Sequence, residues 1–276
     1  MNPPRTPVRL SVSTLALHPL LGTVAPGRPG DASARMMESR AGSLDLMAVP
    51  NALVDLDART MEICHFHVPD TSEAWLEDFR ARREAAGVEL WSLLIDDGDI
   101  SDPVNGDRDR DWVLGWIDRA MVLGARCVRV IAGKQPPTEE NLARSAANLK
   151  ILAMEAYVRG LRVLTENWFA LLPEPPQVHQ LLGELGGAVG LTLDYGNWTG
   201  PDKHARLLQI AELAEGCHAK CDFAGGAPDL ADFRLSLQVA QTACVPGPRT
   251  LVHGEPSDVW GSLRVQREAV LPFLES

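Results

Sequence analysis

No stretch of this sequence is apolar over the roughly 18 residues that a membrane-spanning helix needs. The first residues, Met1–Arg9, carry Arg5 and Arg9 but have no apolar core and small-residue cleavage site behind them. A membrane partner and secretion are therefore not expected, and the chain is read as cytoplasmic. Basic charge is also scarce, with 26 Lys and Arg against 37 Asp and Glu and a net charge of −11. Such a chain repels a phosphate backbone unless a basic stripe compensates. The Arg-rich stretch Arg80, Arg82 and Arg83 is interleaved with Glu77, Asp78 and Glu84, which reads as a solvated, salt-bridged helix face. Nucleic acid is not an expected partner. The five cysteines, Cys64, Cys127, Cys217, Cys221 and Cys244, are odd in number and suit a reducing compartment. Cys217 and Cys221 lack the second Cys or His pair that a structural zinc site requires, so free thiols are expected.

Present throughout is an alternation of short β-branched runs with amphipathic stretches long enough for helices, the rhythm of parallel β/α units. Eight strands are expected, at Val8–Thr14, Thr60–His67, Val88–Asp96, Arg126–Ala132, Leu161–Glu166, Val189–Asp194, Gly216–Cys221 and Thr250–Glu255. Eight is the count of a (β/α)₈ TIM barrel, and 276 residues suit one α/β domain of that kind spanning 1–276. An open doubly wound sheet is the rival, but no GxGxxG follows the first strand. Between strands, Asp70 with Glu73 reads as a helix start ahead of Trp75, Leu76 and Phe79, with Gly87 as the stop. Thr138 caps a helix whose Leu142, Leu149, Leu152, Ala153 and Ala156 form one apolar stripe, closed by Gly160. The Gly-, Pro- and Ser-rich segment Gly22–Ser43 reads as the loop after the first strand.

In such a barrel, function gathers where strands end. Strand five ends in Glu166 and strand six in Asp194, while strand seven carries His218 and Lys220 in one phase and strand eight His253 and Glu255 in one phase. Three carboxylates crowded at one rim repel unless protonated or neutralised, and a divalent cation is the usual neutraliser. Oxygen ligands with one imidazole suit Mn²⁺ or Mg²⁺, with Zn²⁺, Co²⁺ and Fe²⁺ less favoured. His65 and His67, on one face near the end of strand two, are candidate substrate contacts. The acidic run Asp96, Asp97 and Asp99 reads mainly as turn formation and capping. Trp168 and Trp198 are apolar walls for a sugar face or, equally, packing.

The order Glu-Asn at 166–167, Leu-Asp-Tyr-Gly-Asn-Trp at 193–198, His-Ala-Lys at 218–220 and a late Glu255 resembles the xylose isomerase-like barrel superfamily. That superfamily holds sugar and sugar-phosphate isomerases and epimerases, related dehydratases and abasic-site endonucleases. The resemblance implies a metal held by Glu166, Asp194, His218 and Glu255; by strand phase, His253 is an alternative to Glu255. It implies proton transfer next to a carbonyl through a metal-stabilised enediolate, with Glu166 and Glu255 as base and acid. Substrate contacts would come from His65, His67, Lys220, Asn197 and Trp168. Two departures are plain: Asn197 stands where related epimerases often have His, and Cys221 precedes Asp222 where an acidic residue is common. A metal-dependent dehydratase or lyase of a polyol or hydroxy-acid is the alternative, ahead of a non-catalytic ligand-binding barrel or an abasic-site endonuclease. The resemblance, together with apolar exterior residues, is compatible with a homo-oligomer.

Overall fold

The computed structural model describes residues 7–23, 29, 40–224, 227–253 and 258–274. Eight parallel strands close into a barrel: β1 (Arg9–Ser13), β2 (Thr60–Cys64), β3 (Glu89–Ile95), β4 (Cys127–Val130), β5 (Arg162–Glu166), β6 (Gly190–Asp194), β7 (Ala214–Cys221) and β8 (Pro248–His253). Each pairs with its neighbours in chain order, and β8 returns to β1 through Ser11 opposite Thr250. Eight helices follow the strands in turn: α1 (Val49–Asp55), α2 (Glu73–Ala85), α3 (Gly106–Leu123), α4 (Glu139–Val158), α5 (Pro175–Leu185), α6 (Lys203–Ile210), α7 (Leu230–Thr242) and α8 (Val259–Val270). This is the expected (β/α)₈ barrel.

The main core lies between strands and helices. Met61 and Ile63 of β2, Leu191 and Leu193 of β6 and Cys217 and Ala219 of β7 point outward against helix residues such as Leu149, Leu181 and Leu207. Alternate positions on the same strands point into the barrel, where Trp91, Cys127 and Leu164 form a small apolar plug. Beneath the plug, at the N-terminal end of the strands, charges are paired: Glu89 between Arg9 and Arg126, and Arg162 on Glu215 at 2.7 Å. The other end carries the buried charges described below.

Local chemistry explains most boundaries. Thr138 caps α4 by accepting a hydrogen bond from the Asn141 amide, and Leu142, Leu149, Leu152 and Ala156 are buried along it. α3 ends at Gly124 with φ +71°, where a side chain would press on Arg80 and Arg83 at about 3 Å. Three expectations are corrected. The cap of α2 is Ser72, and Asp70 instead accepts from the Ser72 amide at 2.7 Å. Arg83 is buried rather than solvated, donating to the carbonyls of Val88 and Leu123, whereas Arg80 and Arg82 do form the i,i+4 pairs expected. Strand two stops at Cys64, and His65–His67 coil into a 3₁₀ turn closed by the Val68 amide on the His65 carbonyl. Of the loop expected at Gly22–Ser43, Gly22–Thr23 pairs antiparallel with Arg40–Ala41, and 24–28 and 30–39 lie outside the described residues. Cys64, Cys127, Cys217, Cys221 and Cys244 are free thiols, all but Cys244 buried.

Candidate metal centre

Three neighbouring strands deliver the candidate ligands to one point. Glu166 ends β5 in the row of Thr192, and Asp194 ends β6 in the row of His218 on β7. Residues paired in a parallel ladder face the same side, so these three side chains converge inside the rim. Glu166, Asp194 and His218 each offer one ligand atom, all within 4.8 Å of one another, and all three residues are buried. His218 Nδ1 is 3.3 Å from Glu166 Oε2 and 3.7 Å from Asp194 Oδ2.

The rest of the imidazole is fixed from across the barrel. Glu62, on β2 and only 2% exposed, meets His218 Nε2 at 2.8 Å. A carboxylate on one ring nitrogen fixes the ring's orientation and leaves the other nitrogen as the ligand. Burial works against a charged imidazole, but Glu166 and Glu62 outweigh it and hold the His218 pKa well above its ordinary 6.5. Asp194 is held below the usual carboxylate range despite burial, by His218, by nearby Lys220 and by the amide of Gly196. The amides of Gly196 and Asn197 both donate to Asp194 Oδ1 at 2.7 Å. Asn167 brackets the Asp194 backbone, accepting from its amide at 2.8 Å and donating to its carbonyl at 3.1 Å. The Glu-Asn pair thus ties the end of β5 to the end of β6.

Glu166 is gripped at both oxygens. Asn197 Nδ2 donates to Oε1 at 2.6 Å, and Arg129 Nε of β4 lies 2.9 Å from Oε2. The second contact is one of charge, since Oε2 receives no well-directed hydrogen bond and keeps a lone pair facing His218. Arg129 also pairs with Asp96 at the end of β3, and this pairing keeps Asp96 ionised against the cost of burial. Neither Glu62 nor Arg129 stood out in the sequence. Their signal was a lone charge inside an apolar strand, in Thr-Met-Glu-Ile-Cys and Cys-Val-Arg-Val.

The residues fit a divalent cation. A buried carboxylate oxygen lacks a hydrogen bond and faces a second carboxylate and a ring nitrogen. Among the described residues, the carboxylates of Glu62, Asp96, Glu166 and Asp194 face only Arg129 and Lys220, which leaves two negative charges when His218 is neutral. An excess of that size suits a dication.

Other expected site residues are placed as follows. Glu255 lies outside the described residues. His253 sits in the row of Cys221, which joins the outer core, and its ring packs on Phe223; Thr250 is the β8 residue in the row of His218. Lys220 is half-buried with its stem across Gly196, where an added Cβ would come within 2.5 Å of the lysine Cδ. Trp168 is half-buried, stacks on Phe169 and covers the Arg129 guanidinium at 5.2 Å. Asn197 turns its amide onto Glu166. The turn at 65–67 separates the two imidazoles. His65 accepts from the Asp96 amide and abuts Trp112 and Trp116, whereas His67 contacts Thr14 and His18, each at 2.9 Å. Burial depresses both, His67 to about 3. Asp97 and Asp99 organise their loop, pairing with Lys134 and accepting from Ser101 and Gln135. Trp198 is a packing residue, donating its indole N–H to the Leu172 carbonyl.

Comparison with known proteins shows the same barrel fold. The family described as xylose isomerase-like TIM barrel matches residues 50–223. An L-ribulose 3-epimerase structure superposes with a TM-score of 0.72 at 17% identity, covering 97% of this chain and 95% of that one. A xylose isomerase-like TIM barrel protein from Mycobacterium smegmatis in complex with magnesium gives 0.68 at 19% identity, covering 96% of each chain. A xylose isomerase domain protein from Planctomyces limnophilus gives 0.69 at 14% identity, covering 99% of each. No curated protein matches the sequence.

Proposed function

We propose that this chain, which belongs to the xylose isomerase-like TIM barrel family, is a divalent-metal-dependent isomerase or epimerase acting on a small carbohydrate-like substrate. The observation that carries the reading is the convergence of Glu166, Asp194 and His218, with Glu62 fixing the imidazole from the opposite wall. Mn²⁺ or Mg²⁺ suits this donor set, with Glu255 as a fourth ligand. A bound dication would polarise the carbonyl and adjacent hydroxyl oxygens of a hydroxy-ketone, making the α-proton acidic.

The chain's own residues then have distinct roles. Glu166, held at both oxygens, presents one fixed lone pair to the site, and it shares proton transfer with Glu255. Lys220, the rim cation with no hydrogen-bond or ion-pair partner among the described residues, takes a hydroxyl or anionic group of the substrate. Trp168 offers a face on which a sugar ring stacks and shields the Arg129–Glu166 pair from water. Asn197, His65 and His67 act indirectly, through Glu166, Asp96 and the Thr14 contact.

The test joins elemental analysis of the purified protein with deuterium exchange from solvent into candidate ketoses. A stoichiometric divalent metal and exchange without loss of water are expected, and exchange with water loss would favour the dehydratase alternative. Glu166→Gln and His218→Ala are expected to abolish metal uptake. If both variants still bind metal at wild-type stoichiometry, the assignment is wrong.

A further inference from the structure

Arg129 is buried, charged and in the phase of the site, on the row joining Leu94 of β3 to Leu164 of β5. Its guanidinium is constrained on four sides. Nη2 is on Asp96 Oδ1, Nη1 reaches the Ile95 carbonyl at 3.4 Å, Nε lies on Glu166 Oε2 at 2.9 Å, and the Trp168 ring covers the plane. An arginine needed only to neutralise Asp96 would have no reason to extend its other edge to Glu166. The planar guanidinium spans two carboxylates on different strands, hydrogen-bonded to Asp96 and in charge contact with Glu166, a span that a point-charge ammonium does not reproduce.

We propose that Arg129, anchored on Asp96, is a positioning residue that fixes the metal-facing oxygen of Glu166 and thereby sets how tightly the site holds a divalent cation. The proposal rests on the reading of this site as a metal centre. Its logic is that of an outer-shell partner. Asn197 donates to Oε1 and the Arg129 charge lies against Oε2, which together favour the carboxylate orientation that faces His218 and Asp194. The chain Asp96, Arg129, Glu166, Asn197, Asp194 thus links the ends of β3, β4, β5 and β6. Loss of an outer-shell partner typically weakens metal affinity by roughly 10- to 100-fold.

The test compares Mn²⁺ dissociation constants of the full-length protein, read by electron paramagnetic resonance of free Mn²⁺, with melting temperatures in EDTA. Arg129→Lys keeps the charge but removes the fork, which separates geometry from electrostatics. Arg162→Lys makes the same exchange in the Arg162–Glu215 pair at the far end of the barrel and serves as the control for stability alone. Arg129→Lys is expected to weaken Mn²⁺ binding at least tenfold while melting no lower than Arg162→Lys, and Asp96→Asn to shift affinity in the same direction. Wild-type affinity, or tighter binding, in both Arg129→Lys and Asp96→Asn overturns the proposal. If Arg129→Lys does not fold, Asp96→Asn decides alone. Mn²⁺ binding that survives both Glu166→Gln and His218→Ala at wild-type stoichiometry refutes the metal-centre reading itself, and a wild-type protein that takes up no Mn²⁺ overturns both.

Discussion

Replacing Glu62 by Gln probes the candidate centre from the far side of the His218 ring. The exchange keeps the shape and exchanges a carboxylate acceptor for an amide 2.8 Å from His218 Nε2. Two effects follow, and pH separates them. Glu62 helps raise the His218 pKa well above 6.5, so at neutral pH a proton competes with a cation for Nδ1. Removing that carboxylate reduces the competition, which favours the cation below the raised pKa. It also removes the group that orients the ring, which costs about 10- to 100-fold in affinity, or about 1.4–2.7 kcal/mol, at every pH. Mn²⁺ affinity measured across neutral to alkaline pH should therefore rise with pH in the wild type and flatten at lower pH in Glu62→Gln. The variant should be weaker by the full factor on the alkaline plateau. Metal-free stability carries the matching signature. A histidine pKa raised by folding adds stability that is fully present below the ordinary 6.5 and is lost as pH climbs through the raised value. In Glu62→Gln that alkaline loss should begin earlier. Superimposable pH profiles for the two proteins would refute the role of Glu62.

Three further outcomes are expected. His67, depressed to about 3 by burial, is neutral when folded, so stability should fall as pH drops from about 6.5 toward 3; His67→Gln should flatten that acid limb in urea unfolding. Asn167→Ala leaves the amide and carbonyl of Asp194 without their side-chain partner and should cost about 2–3 kcal/mol by the same measurement. Gly196→Ala should displace the Lys220 stem and, like Lys220→Met, raise the KM for the proton-exchange substrate without weakening Mn²⁺ binding.

The barrel was legible because each strand is an apolar run with a turn behind it. Glu166, Asp194 and His218 were legible because alternation along a strand tells which residues share a face. Alternation does not tell which strand lies opposite. Glu62 and Arg129 look like solitary charges in Thr60–Cys64 and Cys127–Val130; barrel closure brings Glu62 to His218, and the pairing of neighbouring strands β4 and β5 brings Arg129 to Glu166. The same limit applies to His253. Its phase relative to Glu255 is internal to β8, whereas the ladder aligns Thr250 with His218 and sends His253 to the row of Cys221. His65 and His67 were read on a continuing strand, but the packing of His65 against Trp112 and Trp116 and the bond from His67 to Thr14 favour a tight turn after Cys64.

The Glu62–His218 contact spans 156 residues of sequence and joins β2 to β7, strands that are not neighbours in the barrel. It is a chord across the ring, so the imidazole is aimed only after β8 has returned to β1. Neither half of the chain holds both ends of the chord. A folding intermediate with an open sheet would carry Glu166 and Asp194 side by side yet leave His218 unaimed. Tight metal uptake would thus report that the circle has closed, and a circular permutant that preserves closure should retain it wherever its new termini fall.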